Sequence, residues 1–188
     1  LMVLEAGRHE LADGTALEAG IATTARLTSS GFDPVRFEMG FDAAPVVLST
    51  VMTNAGSDWV VTRPDAISPT GFALSMQEEE AMNGGGHMTE QIGWVAIDAG
   101  GGTWSGIDWQ AGSAAGVTSG GAPHDFATPF DTAPGVVANL ATVAGIDPAV
   151  PRISGVDAAG FTGWAQEEQS FDAETDDSAE RLDYLALG

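Results

Sequence analysis

The sequence predicts an all-β protein, built as two tandem six-stranded antiparallel β-sandwiches that arose by internal duplication. Three observations lead there. A long segment is written twice, apolar residues alternate with period two in several short runs, and 25 glycines and 9 prolines punctuate a 188-residue chain that is 44% hydrophobic. Turn residues at that density between short apolar runs suit sheets rather than long helices.

The repeat is explicit. Phe41 to Glu79 lies over Phe130 to Glu168 without a gap, and 16 of 39 positions are identical. Among them are Pro45/Pro134, Gly56/Gly145, Asp58/Asp147, Arg63/Arg152, Gly71/Gly160, Phe72/Phe161 and a Gln-Glu-Glu triplet in each copy. One residue of insertion later, "EQIGWVAI" from Glu90 aligns with "ERLDYLAL" from Glu180. Self-similarity at a fixed spacing sets the domain count. The glycine-rich "DAGGGTWSG", Asp98 to Gly106, marks the boundary, giving domains 1–99 and 100–188.

Within a repeat, strands are expected near 35–40, 46–53, 58–64, 71–78 and 90–97, with one more near its start. "APGVVANLATVAGID" taken alone suits a helix. Its counterpart "APVVLSTVMTNAG" is rich in Val and Thr and ends in Asn-Ala-Gly, so both copies read as strands. "GFALSMQ" alternates Phe72, Leu74 and Met76 with smaller or polar residues, the period of a half-buried strand. "IGWVAI" is apolar on both faces and reads as a central strand covered on each side. Thr15 to Leu27 still permits a helix.

Charge narrows the function. Twenty-seven acidic residues face six basic ones, all arginine, for a formal net charge of -21. Nucleic acid and anionic membrane surfaces demand the opposite sign. An acidic surface suits solubility at high salt, divalent cations or neutral ligands. Without cysteine there is neither a disulfide nor a thiolate site. No apolar run approaches the ~18 residues of a membrane span, and the start has no leader-like pattern, as in a mature protein or an excised fragment.

Catalysis finds no support. No Ser/His/Asp spacing, phosphate-binding loop or metalloprotease helix is visible. Neighbouring acids such as Glu78/Glu79 and Glu167/Glu168 point to opposite faces of a strand and do not converge on one substrate. The chain therefore reads as non-enzymatic. Calcium is a use for oxygen-rich loops, and "DAETDD" offers Asp172, Glu174, Asp176 and Asp177 as ligands, against the plainer reading of a solvated acidic loop. Arg63 and Arg152 recur at one position and are expected to form structural ion pairs with a repeated acid, Glu90 and Glu180 or a glutamate of the triplets. Trp94 and Trp164 sit in strand patterns and belong to the core. Trp59 follows a loop, and an exposed indole beside acids suits the apolar face of a neutral sugar. Trp104 and Trp109 fit either that use or packing between the domains. His87 lies alone in the first hairpin loop.

The segment "PVV…RPDAISPTGF…IGWVAI" resembles the H-type lectin domain, the GalNAc-binding module of snail agglutinins and the C-terminal domain of discoidins. The resemblance covers residues 41–97 and, more faintly, 130–187, and is most specific at Ser68–Phe72 and Gly93–Ile97. It implies a six-stranded sandwich that trimerises and binds sugar in clefts between protomers. The position of the family's sugar-contacting arginine is held here by Trp59 and Pro148, and its Trp-His pair falls on Glu79-Glu80 and Glu168-Gln169. The expectation is thus a glycan-binding module of a larger extracellular, cell-surface or virion-surface protein. It would form a homo-oligomer and contact carbohydrate through Trp59, Asp58, Glu79, Glu80 and His87 in the first copy and Asp147 and Glu168 in the second. The alternative is a structural domain that spaces or trimerises a fibre and binds nothing small.

Overall fold

The computed structural model describes residues 4–82, 86–173 and 178–188. Fourteen strands and two single-turn 3-10 helices appear among them, so the chain is all-β. The first seven strands are β1 (Gly7–Glu10), β2 (Ala16–Thr24), β3 (Asp33–Arg36), β4 (Val46–Val51), β5 (Val60–Ser68), β6 (Gly71–Glu78) and β7 (Glu90–Ile97). The other seven are β8 (Gly100–Trp104), β9 (Ile107–Val117), β10 (Ala122–Asp125), β11 (Gly135–Leu140), β12 (Ala149–Ser154), β13 (Gly160–Glu167) and β14 (Glu180–Leu187).

The two halves repeat one topology. The first pairs its strands antiparallel in the orders β1-β2-β7-β4 and β3-β6-β5, the second as β8-β9-β14-β11 and β10-β13-β12. Each half thus carries seven strands where six were expected, because its opening segment folds back as a hairpin. Thr15–Leu27 is not helical: β2 pairs along its length with β7, from Leu17 opposite Ile97 to Thr24 opposite Glu90. Ile21, Thr23 and Thr24 favour that pleated surface over a helix, and Gly20 weakens a helix further.

Two glycines in each half show why the sequence repeats. A Cβ on Gly71 would lie 2.2 Å from the Val35 carbonyl oxygen, and one on Gly160 would lie 2.3 Å from that of His124. The paired neighbour, β3 in the first half and β10 in the second, passes too close for any side chain. Gly20 and Gly112 open space for an aromatic ring: an added Cβ would meet Trp94 at 2.4 Å and Tyr184 at 2.7 Å. Pro64 and Pro151 lie in β5 and β12, edge strands where a missing N–H costs no ladder bond.

Three apolar clusters organise the chain. One takes Val47, Phe72, Leu74, Met76, Ile92 and Trp94 from the two sheets of the first half. A second takes Leu140, Phe161, Ala165, Leu182 and Tyr184 from those of the second. The third joins the halves through Leu17, Val46 and Ile97 on one side and Trp109, Ala111 and Leu185 on the other. Strand β7 serves two clusters, with Ile92, Trp94 and Ala96 in the first and Ile97 in the third. Trp109 is packed between the halves and only 2% exposed, while Trp164 is half-buried.

Polar contacts reinforce the third cluster. The Asp183 carboxylate accepts the Val47 backbone N–H at 2.9 Å, and the Asn139 side-chain oxygen accepts that of Ser49 at 3.0 Å. Asp183 also accepts the Ser113 hydroxyl at 2.6 Å and Arg181 Nε at 2.7 Å. Burial pushes the Asp183 carboxyl up, against the pull of these donors. No helix among the described residues is long and apolar enough to cross a membrane.

Candidate functional site

The loop after β4, from Met52 to Trp59, and its counterpart after β11 are shaped by one device. A glutamate at the first position of β7 or β14 reaches back and accepts donors from the loop. Glu90 takes the Thr53 hydroxyl, the Ala55 N–H at 2.7 Å and the Gly56 N–H at 3.1 Å. Glu180 takes the Thr142 hydroxyl and the Ala144 N–H at 3.0 Å. The Thr53 hydroxyl above all, with the loop N–H groups and His87, holds the Glu90 carboxyl down to about 2, against its burial.

The two glutamates differ in the partner they meet. Glu180 is met by Arg63 from the other half, Nη2 to Oε1 at 2.7 Å, with both side chains buried. Arg63 also donates to Gln77 Oε1 at 2.8 Å and to the carbonyl oxygens of Ala149 and Thr142. Burial lowers the guanidinium's proton affinity, and Glu180 works against that. Glu90 instead meets His87, whose Nε2 lies 3.2 Å from Oε1 while Nδ1 lies 2.7 Å from Glu78. The expected equivalence of the arginines therefore does not extend to their partners. Arg152 is exposed and donates from Nε to Gln166 Oε1 at 2.5 Å.

His87 is corrected as a ligand contact. Its side chain is 1% exposed and both ring nitrogens are engaged, so it is buried against Gly56 and braces the loop from inside. Glu80 and Glu168 likewise join the halves. The Glu168 carboxylate accepts the Glu80 N–H at 2.7 Å and the Ser170 hydroxyl at 2.6 Å, and the latter above all lowers its pKa. The Glu80 carboxylate accepts the Phe171 N–H at 3.3 Å. Asp147 is half-buried, and its carbonyl oxygen accepts Gln77 Nε2 at 3.5 Å. Of the proposed calcium ligands Asp172 is exposed, and Glu174, Asp176 and Asp177 lie outside the described residues. Among the described residues no three His, Cys, Asp or Glu side chains are grouped to hold a metal ion.

What remains open is a groove of about 500 Å³ between the halves. Trp59 stands at its edge with 87% of its surface exposed. Glu79 comes from the first half, and Arg152, Gln166 and Glu168 come from the second. Asp58, beside Trp59, is half-buried, accepts the Ser57 hydroxyl at 3.1 Å and faces an adjoining groove of about 450 Å³. An exposed indole ring next to two carboxylates, an amide and a guanidinium can stack on an apolar ring face and hydrogen-bond hydroxyls around its rim. Arg152 and Gln166 were not anticipated as members of this wall. The signal was present, since Gln166 opens the second Gln-Glu-Glu triplet.

Residues of this chain are similar to a stretch of Halomucin from Haloquadratum walsbyi (strain DSM 16790 / HBSQ001), 30% identical over 101 residues. The match takes in 53% of this chain and about 1% of that protein's length. No family model and no solved structure matches.

Proposed function

We propose that the chain is a non-enzymatic, lectin-like module: two tandem β-sandwiches, residues 1–99 and 100–188, within a longer extracellular or surface protein. A neutral glycan binds in the groove between them. The observation that carries this is Trp59, a large apolar side chain left 87% exposed at the rim of a polar groove. Trp59 offers a ring face, and Glu79, Arg152 and Gln166 offer hydroxyl partners. The resemblance to H-type lectins supports the same use of a cleft between units, with Trp59 standing where that family places an arginine. The similarity to part of a protein named as a mucin supports a place outside the cell.

The test is a broad glycan array, run with calcium and again with a chelator. Saturable binding that disappears in Trp59→Ala supports the reading, and loss with chelator adds metal to it. A blank array with folded protein overturns it.

A further inference from the structure

The contact between the halves is not symmetric. The first half offers the edge Pro45, Val47 and Ser49 together with Arg63, and the second receives it on Asn139, Glu180, Arg181 and Asp183. Were the contact isologous, the counterparts would meet as well. The second half's own edge, Pro134, Val136 and Ala138 with Arg152, would then lie on Thr50, Glu90, Gln91 and Gly93 of the first. No hydrogen bond or ion pair joins those two sets among the described residues, and Arg152 turns to Gln166 of its own sheet. The halves are joined head to tail, which leaves one receiving face and one offering edge unoccupied.

The two unoccupied ends face a common space. Ile21, Thr50, Met52 and Gly93 of the receiving face line an open groove of about 610 Å³ with Val137 and Ala138 of the offering edge. Their chemistry also departs from the occupied contact in a consistent direction. Ile21 pairs with Gly93 where Ser113 pairs with Asp183, so a buried carboxylate and the serine that donates to it are replaced by apolar surface. Ile21, Met52 and Val137 are 58%, 55% and 53% exposed. On a chain of net charge -21, a contiguous apolar groove is a contact surface.

We propose that a second copy of this chain fills the groove. The partner's offering edge lies on Ile21, Met52 and Gly93, while its receiving face takes Val137 and Ala138, so two chains close into one ring of four units. Each contact repeats the polarity already present within the chain, and closure uses both free ends of both copies. The surfaces are apolar and the chains strongly acidic, so the dimer strengthens as salt screens their repulsion.

Sedimentation velocity of the full chain in molar salt, across micromolar concentrations, tests this. The expected species has twice the 19.2 kDa chain mass. Met52→Glu and Val137→Glu each raise the dissociation constant at least about tenfold. Ile107→Glu, on the exposed hairpin between β8 and β9, leaves it unchanged. A monomer at every concentration, a different stoichiometry, or a dimer indifferent to both groove substitutions overturns the proposal. Circular dichroism of the variants separates lost association from lost folding.

Discussion

Arg63 and Glu180, 117 residues apart in sequence, form a buried ion pair of 2.7 Å that ties the first half of the chain to the second. The pair closes a network: Glu180 shapes the loop after β11, and Arg63 binds two carbonyl oxygens around that same loop. A planar guanidinium can make these contacts at once, whereas an ammonium cannot. Removing Arg63 leaves a buried carboxylate and open carbonyl groups, which costs about 3–5 kcal/mol. Arg63→Met should lower stability by that amount in urea unfolding. Arg152→Met, at the exposed counterpart, should change it by less than about 1 kcal/mol.

Glu90 makes stability depend on acid. Its carboxyl titrates near 2 in the folded chain against an ordinary value of 4.5, because the Thr53 hydroxyl and loop N–H groups bind the charged form. A depressed carboxyl stabilises fully above its unfolded value, and the contribution fades as pH falls from about 4.5 towards 2. Glu90→Gln should therefore differ from the parent most above about pH 5 and converge with it near pH 2. Urea midpoints measured across that range check it.

Gly20 tests the packing of an aromatic ring against β2. An added methyl group would sit 2.4 Å from the ring of Trp94, a member of the first apolar cluster. Gly20→Ala should destabilise by about 1–3 kcal/mol despite alanine's lower backbone entropy cost. A shift in Trp94 fluorescence should accompany the loss.

Much of this architecture could be read from the sequence, and the failures have physical causes. Strand β7 was legible because a short run apolar on both faces, rich in Ile, Val and Trp, suits a strand covered on each side, and the repeat carried that reading to β14. Strand β2 was ambiguous because alanine and leucine favour helix locally. Its pairing with β1 and β7 overrides that preference. Glu90 and Glu180 stood out as recurring acids with the repeated arginines as partners, yet which arginine meets which acid did not. Arg63 crosses to Glu180 through tertiary contact, and His87 has no histidine equivalent in the corresponding stretch of the other half. Trp59 was legible as an exposed indole, since it follows a loop and aligns with Pro148. The wall opposite it was not, because Arg152 and Gln166 approach only when the halves dock.

Net charge predicts a salt response. With 27 acidic and six basic residues, repulsion acts across the whole chain and is larger in the compact state. The screening length falls from ~10 Å at 0.1 M salt to ~3 Å at 1 M. Thermal midpoints should rise with sodium chloride over that range. The rise should persist in Arg63→Met, since its buried pair is poorly screened.

Trp59 separates folding from recognition. At 87% exposure its ring packs against little, so Trp59→Ala should change stability by less than about 0.5 kcal/mol. Its fluorescence should be quenched readily by acrylamide, unlike that of Trp94 and Trp109, both under 10% exposed. A glycan that stacks on the ring should protect it from quencher in proportion to occupancy, and the alanine variant should lose at least about tenfold in affinity. Glu79→Gln keeps the shape of the groove and removes one charged acceptor, so it should weaken binding less than Trp59→Ala does. Binding that survives Trp59→Ala unchanged would place the ligand elsewhere and remove the groove from the argument.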